Sequence, residues 1–309
     1  MNDAPLVHVH PTVAAALDAG RPVVALESTL IAHGLPWPLN LQTARAAEAA
    51  VREEGAVPAT IAVCRGRPTI GLLDSELEEL ARGNKVLKAS RRDLADAVAR
   101  GLTAATTVAA TMFLAHQVGI RLFATGGIGG AHRGTDHSWD ISADLLELSR
   151  TPVAVVCAGA KSILDVSRTL EVLETHGVPV VGYGTDEFPA FYLVSSGEPV
   201  SARVDTPEQA AALLSIHWQL GGAGVVLAQP VVADVAIAEG EFESALKQAE
   251  RKAADASVRG KELTPFLLAR LGEVTEGKTL RANQALVIAN ARLAARVARV
   301  MGKNPPQRV

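Results

Sequence analysis

Three short stretches of this 309-residue chain carry residue types that could do chemistry, and each follows an apolar run. VVAL (23–26) leads into Glu27-Ser28-Thr29. RLFAT (121–125) leads into Gly126-Gly127-Ile128-Gly129-Gly130-Ala131-His132-Arg133-Gly134. VAVVCAGA (153–160) leads into Lys161-Ser162. A carboxyl group at a strand end acts as general acid or base once burial raises its pKa; the alternative for Glu27 is to cap the next helix. A lysine closing an apolar strand loses hydration, which favours the neutral amine that attacks a carbonyl to form a Schiff base. The alternative for Lys161 is an ion-paired or phosphate-binding role. Four glycines in five positions let backbone N–H groups approach an anion, and His132 and Arg133 add positive charge. The plain alternative is a tight turn with no ligand.

Two nucleotide signatures fail. The dinucleotide fingerprint started from Gly127 needs glycine at 132, where His132 stands, and a P-loop ending at Lys161-Ser162 needs glycines where Val155 and Ala160 stand. The pattern therefore favours a phosphate-bearing ligand that is not a nucleotide cofactor. Residues 136–144 (DHSWDISAD) are dense in oxygen ligands. Asp140 and Asp144 share a face if helix already runs there, and one or two carboxylates plus waters suit Mg²⁺ or Mn²⁺. Ser142 or Asp140 capping the helix that follows is compatible with this. Zinc is disfavoured, because no Cys/His cluster has its usual spacing. Lys88 closes a short apolar piece and either meets a phosphate as a point charge or lies on the surface. Arg91 and Arg92 read as surface residues, and His8, His10, His116, His176 and His217 read as structural.

The elements that position these residues alternate. Apolar strand runs at 23–26, 57–64, 121–125, 153–160, 178–184 and 224–231 are separated by helical patterns at 41–54, 90–101, 106–119, 163–174 and 207–220. Residues 57–73 read as a strand, a turn at Gly66 and a second strand. The last third is mostly helical, with segments at 242–256, 264–271 and 282–301. Near-continuous apolar strands alternating with helices predict an α/β fold: a mostly parallel central sheet covered on both faces, in one large domain, with fraying near 1–10 and 302–309. In such sheets ligands bind beyond the carboxyl ends of the strands, so the predicted topology gathers Glu27, the glycine-rich loop and Lys161 on one rim.

Composition sets outer bounds. Apolar residues make up 48% and aromatics only 4%, with 26 glycines, which fits an Ala/Val/Leu-rich α/β protein better than an all-β sandwich. Thirty basic residues against 33 acidic ones give a net charge of -3, which rules out a broadly basic nucleic-acid coat and gives no support for a polybasic membrane clamp. No signal sequence or membrane span is expected. Cys64 and Cys157 sit in apolar runs and read as buried thiols in a reducing compartment.

The chain resembles the pseudouridine-5'-phosphate glycosidase family. The matching stretches are VVALESTLIAHGLPWPLN, GAVPATIAV, KASRRDL, AATTVAATM, FATGGIGGAHRG, WDISADL, VVCAGAKSILD, GVPVVGYGTDEFPAF, GKELTPFLLAR and the region of Asn283, in order from about residue 20 to 300. The resemblance implies reversible cleavage of the C–C glycosidic bond of pseudouridine 5'-phosphate to uracil and ribose 5-phosphate, within pseudouridine catabolism. It also implies a cytoplasmic homotrimer that uses Mn²⁺ or a similar divalent cation and has no nucleic-acid or membrane partner. It places the catalytic lysine on Lys161, the proton donor on Glu27 and the metal carboxylate on Asp140. Substrate contacts fall on Lys88, Val108, Ser142, Ala143 and Asp144. Thr125, His132 and Asn283, within the matching stretches, are further candidate substrate contacts. Trp139, before the metal carboxylate, is a departure from the family pattern. The rivals are a Schiff-base sugar-phosphate lyase or aldolase with another substrate, and a sugar-phosphate sensor without turnover; the missing glycines disfavour a nucleotide kinase.

Overall fold

The computed structural model describes residues 6–83, 85–133 and 139–303. Its strands are β1 (His8–Val9), β2 (Val23–Leu26), β3 (Val57–Cys64), β4 (Arg67–Ile70), β5 (Leu87–Ala89), β6 (Ala104–Thr106), β7 (Leu122–Ala124), β8 (Ala131–His132), β9 (Ala154–Cys157), β10 (Leu164–Asp165), β11 (Val180–Tyr183), β12 (Ala202–Val204) and β13 (Val225–Ala228). The main sheet runs β1-β4-β3-β2-β7-β9-β13-β11-β12. From β3 to β12 along this path every pairing is parallel. The exceptions sit at one side, where β4 and β6 both pair antiparallel with β3. Strands β2, β7, β9 and β13 are buried along their whole length, so both faces of the sheet are covered.

Helices supply the cover. They are α1 (Pro11–Asp18), α2 (Leu39–Glu53), α3 (Asp74–Arg82), α4 (Leu94–Ala99), α5 (Val108–Gln117), α6 (Ala143–Leu148), α7 (Val166–Thr175), α8 (Pro207–Gln219), α9 (Glu239–Asp255), α10 (Leu263–Val274) and α11 (Lys278–Lys303). The long α11 packs across β2, β7 and β9 and against α2 and α8. Its apolar stripe includes Ala282, Leu286, Ala291, Ala294 and Val297, all at most 1% exposed. Each such side chain contributes on the order of 1–3 kcal/mol of burial, ample to hold a helix whose surface is otherwise polar. No helix among the described residues is long and apolar enough to cross a membrane.

The predicted α/β architecture is observed, and the differences from expectation are local. Gly55, at φ 81°, ends α2 in the left-handed conformation expected of a glycine stop. The helix expected from 106 begins at Val108, because Thr106 belongs to β6 and Thr107 caps α5 by accepting from the Ala110 N–H. The helix expected from 163 begins at Val166, because Leu164–Asp165 pair antiparallel with β8 and Asp165 caps α7. His8 and Val9, within the stretch expected to fray, form β1, which pairs with β4 at Thr69 and Ile70. At the other end α11 reaches Lys303, and the final residues lie outside those described.

Candidate active site

The carboxyl ends of β2, β7 and β9 lie side by side, and the residues that follow them wall a cavity of about 350 Å³. Glu27 follows β2 directly. Gly126 and Gly127 follow β7 after Thr125. Lys161 stands four residues beyond β9. Glu27, Lys88, Val108, His132, Asp140, Ser142, Ala143, Asp144, Lys161 and Asn283 all line this one cavity. The topology thus gathers ten of the eleven residues singled out in the sequence.

Lys161 is half-buried, and its Nζ donates to the Gly127 carbonyl at 2.8 Å. The glycine-rich loop therefore holds the lysine by a backbone oxygen. Glu27 accepts a short hydrogen bond from the Thr125 hydroxyl. Burial pushes the Glu27 carboxyl above its ordinary range, and the nearby Lys161 charge and Thr125 hydroxyl oppose that rise without cancelling it. A carboxyl so placed keeps its proton further toward neutral pH, as a general acid requires. Burial, reinforced by the like charge of Lys161, lowers the Lys88 ammonium, while Asp144, Glu27 and Glu262 offset part of the effect. Burial also lowers the His132 imidazole, against the pull of Asp140.

Thr125, the eleventh candidate, sits behind Glu27 at 2% exposure and does not line the main cavity. Its hydroxyl faces the carboxyl group instead of ligand space, so it positions Glu27.

Asp144 is committed on both oxygens. Oδ1 accepts from the Ala109 N–H and Oδ2 from the Gly129 N–H, each at 2.9 Å. One carboxylate ties the start of α5 to the glycine-rich loop. Asp140 precedes α6, which begins at Ala143, so the condition for a helix face shared with Asp144 is not met. Ser142 caps α6, as expected, by accepting from the Asp144 N–H at 3.3 Å.

The loop's glycines are required by packing. Gly126, Gly127, Gly129 and Gly130 are absent from the positive-φ positions. A Cβ on Gly127 would stand 2.6 Å from the Phe191 ring, and one on Gly129 would stand 2.8 Å from Asp144 Oδ2. The Ile128 N–H is already given to the Gly159 carbonyl at 3.0 Å, and the Ala131 N–H to Thr169 Oγ1 at 3.0 Å. The N–H groups of Ile128, Gly129 and Ala131 are thus spent within the protein, while Gly126, Gly127 and Gly130 line the cavity.

Three further outcomes concern residues read as bland. Arg91 is exposed in the first turn, as expected, and its guanidinium also pairs with the buried Glu147 at 2.9 Å and lies over the Phe113 ring. Cys157 is fully buried and its thiol is pushed up to about 12, whereas the Cys64 thiol rises to about 11, as inert structural thiols do. His33, not singled out in the sequence, lines the cavity within the turn Leu30–Gly34, and its Nε2 is buried without a hydrogen-bond partner among the described residues.

A divalent cation has modest protein support. Among the described residues no three His, Cys, Asp or Glu side chains come together as a cage. Asp144 is spent on backbone N–H groups, and Asp140, the expected metal carboxylate, lies on the same cavity wall. Asp136, His137 and Ser138, part of the oxygen-rich stretch, lie outside the described residues. One carboxylate supplemented by water and phosphate oxygens fits a hydrated hard cation.

The model for indigoidine synthase A-like proteins matches residues 12–300. The chain belongs to that family. Within it, the chain is 54% identical over 287 residues to pseudouridine-5'-phosphate glycosidase 2 of Rhizobium johnstonii, covering 93% of each. It is 56% identical over 295 residues to the pseudouridine-5'-phosphate glycosidase of Methylobacterium nodulans, covering 95% of this chain and 88% of the relative. Among solved structures, the prealnumycin C-glycosynthase AlnA in complex with ribulose 5-phosphate superposes with a TM-score of 0.90 at 39% identity, over 99% of this chain and all of that one. The indigoidine synthase A-like protein of Thermotoga maritima gives 0.88 at 36% identity, over 98% and 99%. The fold, the cavity at the strand ends and the relatives' names point to one class of chemistry.

Proposed function

We propose that the chain cleaves the C–C glycosidic bond of pseudouridine 5'-phosphate reversibly, giving uracil and ribose 5-phosphate, with Lys161 as nucleophile and Glu27 as proton donor. The observation that carries this is the meeting of Lys161 and Glu27 on one cavity, with the carboxyl raised by burial and the amine anchored to Gly127. The relatives' names, at 54% and 56% identity, select the substrate.

A C-glycoside offers no leaving oxygen or nitrogen to protonate, so a carboxylate pair of the usual glycosidase kind does not suffice. In the proposed course Glu27 gives its proton to the ribose ring oxygen as the C1'–O4' bond breaks, and the Lys161 amine adds to C1'. The Glu27 carboxylate so formed takes a proton from the added Lys161 nitrogen and passes it to uracil C5. The C1'–C5 electron pair then returns to the uracil ring, restoring its C5–C6 double bond, while the Lys161 nitrogen lone pair forms the C1'–N iminium. Water hydrolyses the iminium and frees ribose 5-phosphate. Lys88, His132 and the Ser142-Ala143 turn are the groups assigned to the phosphate and sugar, with Asp144 holding the glycine-rich loop beside them, and binding energy there brings C1' to Lys161. Asp140 would hold a Mn²⁺ or similar ion, which supplies charge neutralisation for sugar or phosphate oxygens when bound. The reading includes a homotrimeric assembly.

The resemblance to a C-glycosynthase supports a second reading, C–C bond formation with another aromatic acceptor. The test is incubation with pseudouridine 5'-phosphate and Mn²⁺, with uracil followed by chromatography. Borohydride trapping with ribose 5-phosphate and mass spectrometry then locates the adduct. Uracil release with a reduced adduct on Lys161 is expected. Near-normal turnover by Lys161→Ala overturns the imine step. No uracil release, with product formed only from other acceptors, favours the second reading.

A further inference from the structure

Asn290 and Gln229 take no part in the proposed reaction, yet they stand at the far end of a hydrogen-bonded chain that finishes on Glu27. Asn290 lies on α11 and is fully buried. Its Nδ2 donates to the Thr125 carbonyl at 2.7 Å and more weakly to the Gly126 carbonyl at 3.3 Å. Its Oδ1 accepts from Gln229 Nε2 at 2.8 Å, and Gln229 is the residue that follows β13. Two carbonyls on one side and an N–H on the other leave only one orientation for the amide. The Thr125 N–H donates to the Val156 carbonyl at 3.0 Å, so this backbone is held from two directions. Its hydroxyl then reaches Glu27.

Neighbouring positions on α11 are apolar: Leu286, Val287, Ala291 and Ala294 are all buried. A buried amide among them is costly unless it is satisfied. Its side-chain hydrogen bonds join the Thr125–Gly126 backbone to Gln229, and the hydroxyl of that same threonine contacts the proposed acid.

We infer that Asn290 is a positioning residue for the Glu27 carboxyl, acting through Thr125, with Gln229 orienting the Asn290 amide. This rests on the reading of Glu27 as proton donor. Without the Asn290 donor, the buried Thr125 carbonyl loses its partner while the Gly126 carbonyl keeps the Ala158 N–H at 2.9 Å, and the turn relaxes by moving the Thr125 carbonyl toward another donor. The Thr125 hydroxyl moves with it. The ionised carboxylate then loses the hydrogen bond that favours it, and Glu27 titrates higher still.

The experiment follows Glu27 directly by carbon NMR of glutamate-labelled protein, with Glu27→Gln identifying its signal, beside the kinetics of uracil release. Thr125→Val and Asn290→Ala are both expected to raise the Glu27 midpoint and to lower kcat by about tenfold, a fraction of what a general acid provides, with KM nearly unchanged. Thr125→Ser restores both. The double variant is no worse than Thr125→Val alone, because the two act in one chain. An unmoved midpoint in Asn290→Ala, or losses that multiply in the double variant, overturns the inference. Should Asn290→Ala fail to fold, Gln229→Leu leaves Asn290 in place without its orienting donor; it is expected to raise the midpoint by less, and no change overturns the inference. A wild type that releases no uracil sinks the reaction assignment, while the midpoint comparison still decides the positioning role.

Discussion

Asp144→Asn separates a structural tie from a substrate contact. In the structure its two carboxylate oxygens accept from Ala109 and Gly129, at 2.9 Å each, with the side chain 5% exposed. Asparagine keeps one acceptor and turns an NH₂ toward the other backbone N–H. One hydrogen bond to a charged group is lost, worth about 1.5–3 kcal/mol, and a buried donor is left facing a donor. A loss of about 3 kcal/mol follows, which at roughly 2 °C per kcal/mol for a chain of this size lowers Tm by about 6 °C. The tie also secures the loop whose Gly127 carbonyl holds Lys161, so kcat for uracil release should fall while KM changes little. Thermal denaturation and steady-state kinetics on the same preparation measure both. An unchanged Tm with a tenfold rise in KM would refute the tie and make Asp144 a substrate ligand.

Two other perturbations follow from the same geometry. Burial raises the Glu27 carboxyl, so the folded chain binds this proton more tightly than the unfolded chain. Stability from this group is therefore fullest below the unfolded value, about 4.3, and declines as pH rises from there through the raised folded value. Glu27→Gln keeps an acceptor for Thr125 and removes that decline; Tm measured across pH should flatten in the variant as turnover is lost, and an identical pH slope in both proteins would contradict the assignment. Gly159 sits at φ 82°, and a Cβ there would be driven into the Pro189 carbonyl beside the lysine-bearing turn. Gly159→Ala should cost several kcal/mol and yield little folded protein, whereas Gly177→Ala, at φ 67° with open space around it, should lower Tm only modestly; equal Tm values for the two would show the close approach to be unimportant.

Much of the architecture was legible because parallel strands buried on both faces must be almost wholly apolar, as VVAL, AVVC and VVLA are. The rule that ligands gather at strand carboxyl ends then singled out Glu27 and Lys161 from their positions alone. What stayed hidden depended on contacts distant in sequence. Thr106, the last residue of the short strand β6, reads as the start of a helix until the pairing of β6 with β3 and β5 is known. That the glycine-rich loop must also be glycine for packing is invisible until Phe191, Ser142 and Thr169 are seen to stand where its Cβ atoms would be. Thr125 reads as a ligand contact until its hydroxyl is seen to face Glu27.

Asn283 and Asn290 did leave a trace. They lie seven residues apart on one face of α11, amid buried Ala282, Leu286 and Ala291. A polar residue recurring at helical spacing inside an apolar stripe is expensive unless a partner waits for it. For Asn290 the partners are the Thr125 and Gly126 carbonyls and Gln229. Asn283 shares a hydrogen bond with Tyr192, yet its Oδ1 is buried without a partner among the described residues, on the wall of the cavity. The same helix thus meets the site in two different ways. At position 290 it braces the acid from behind with its amide fully engaged, and at position 283 it brings an unspent acceptor to the space a ligand would fill. Periodicity marks both asparagines as exceptional, but only the placement of β7 and β13 against α11 distinguishes brace from contact.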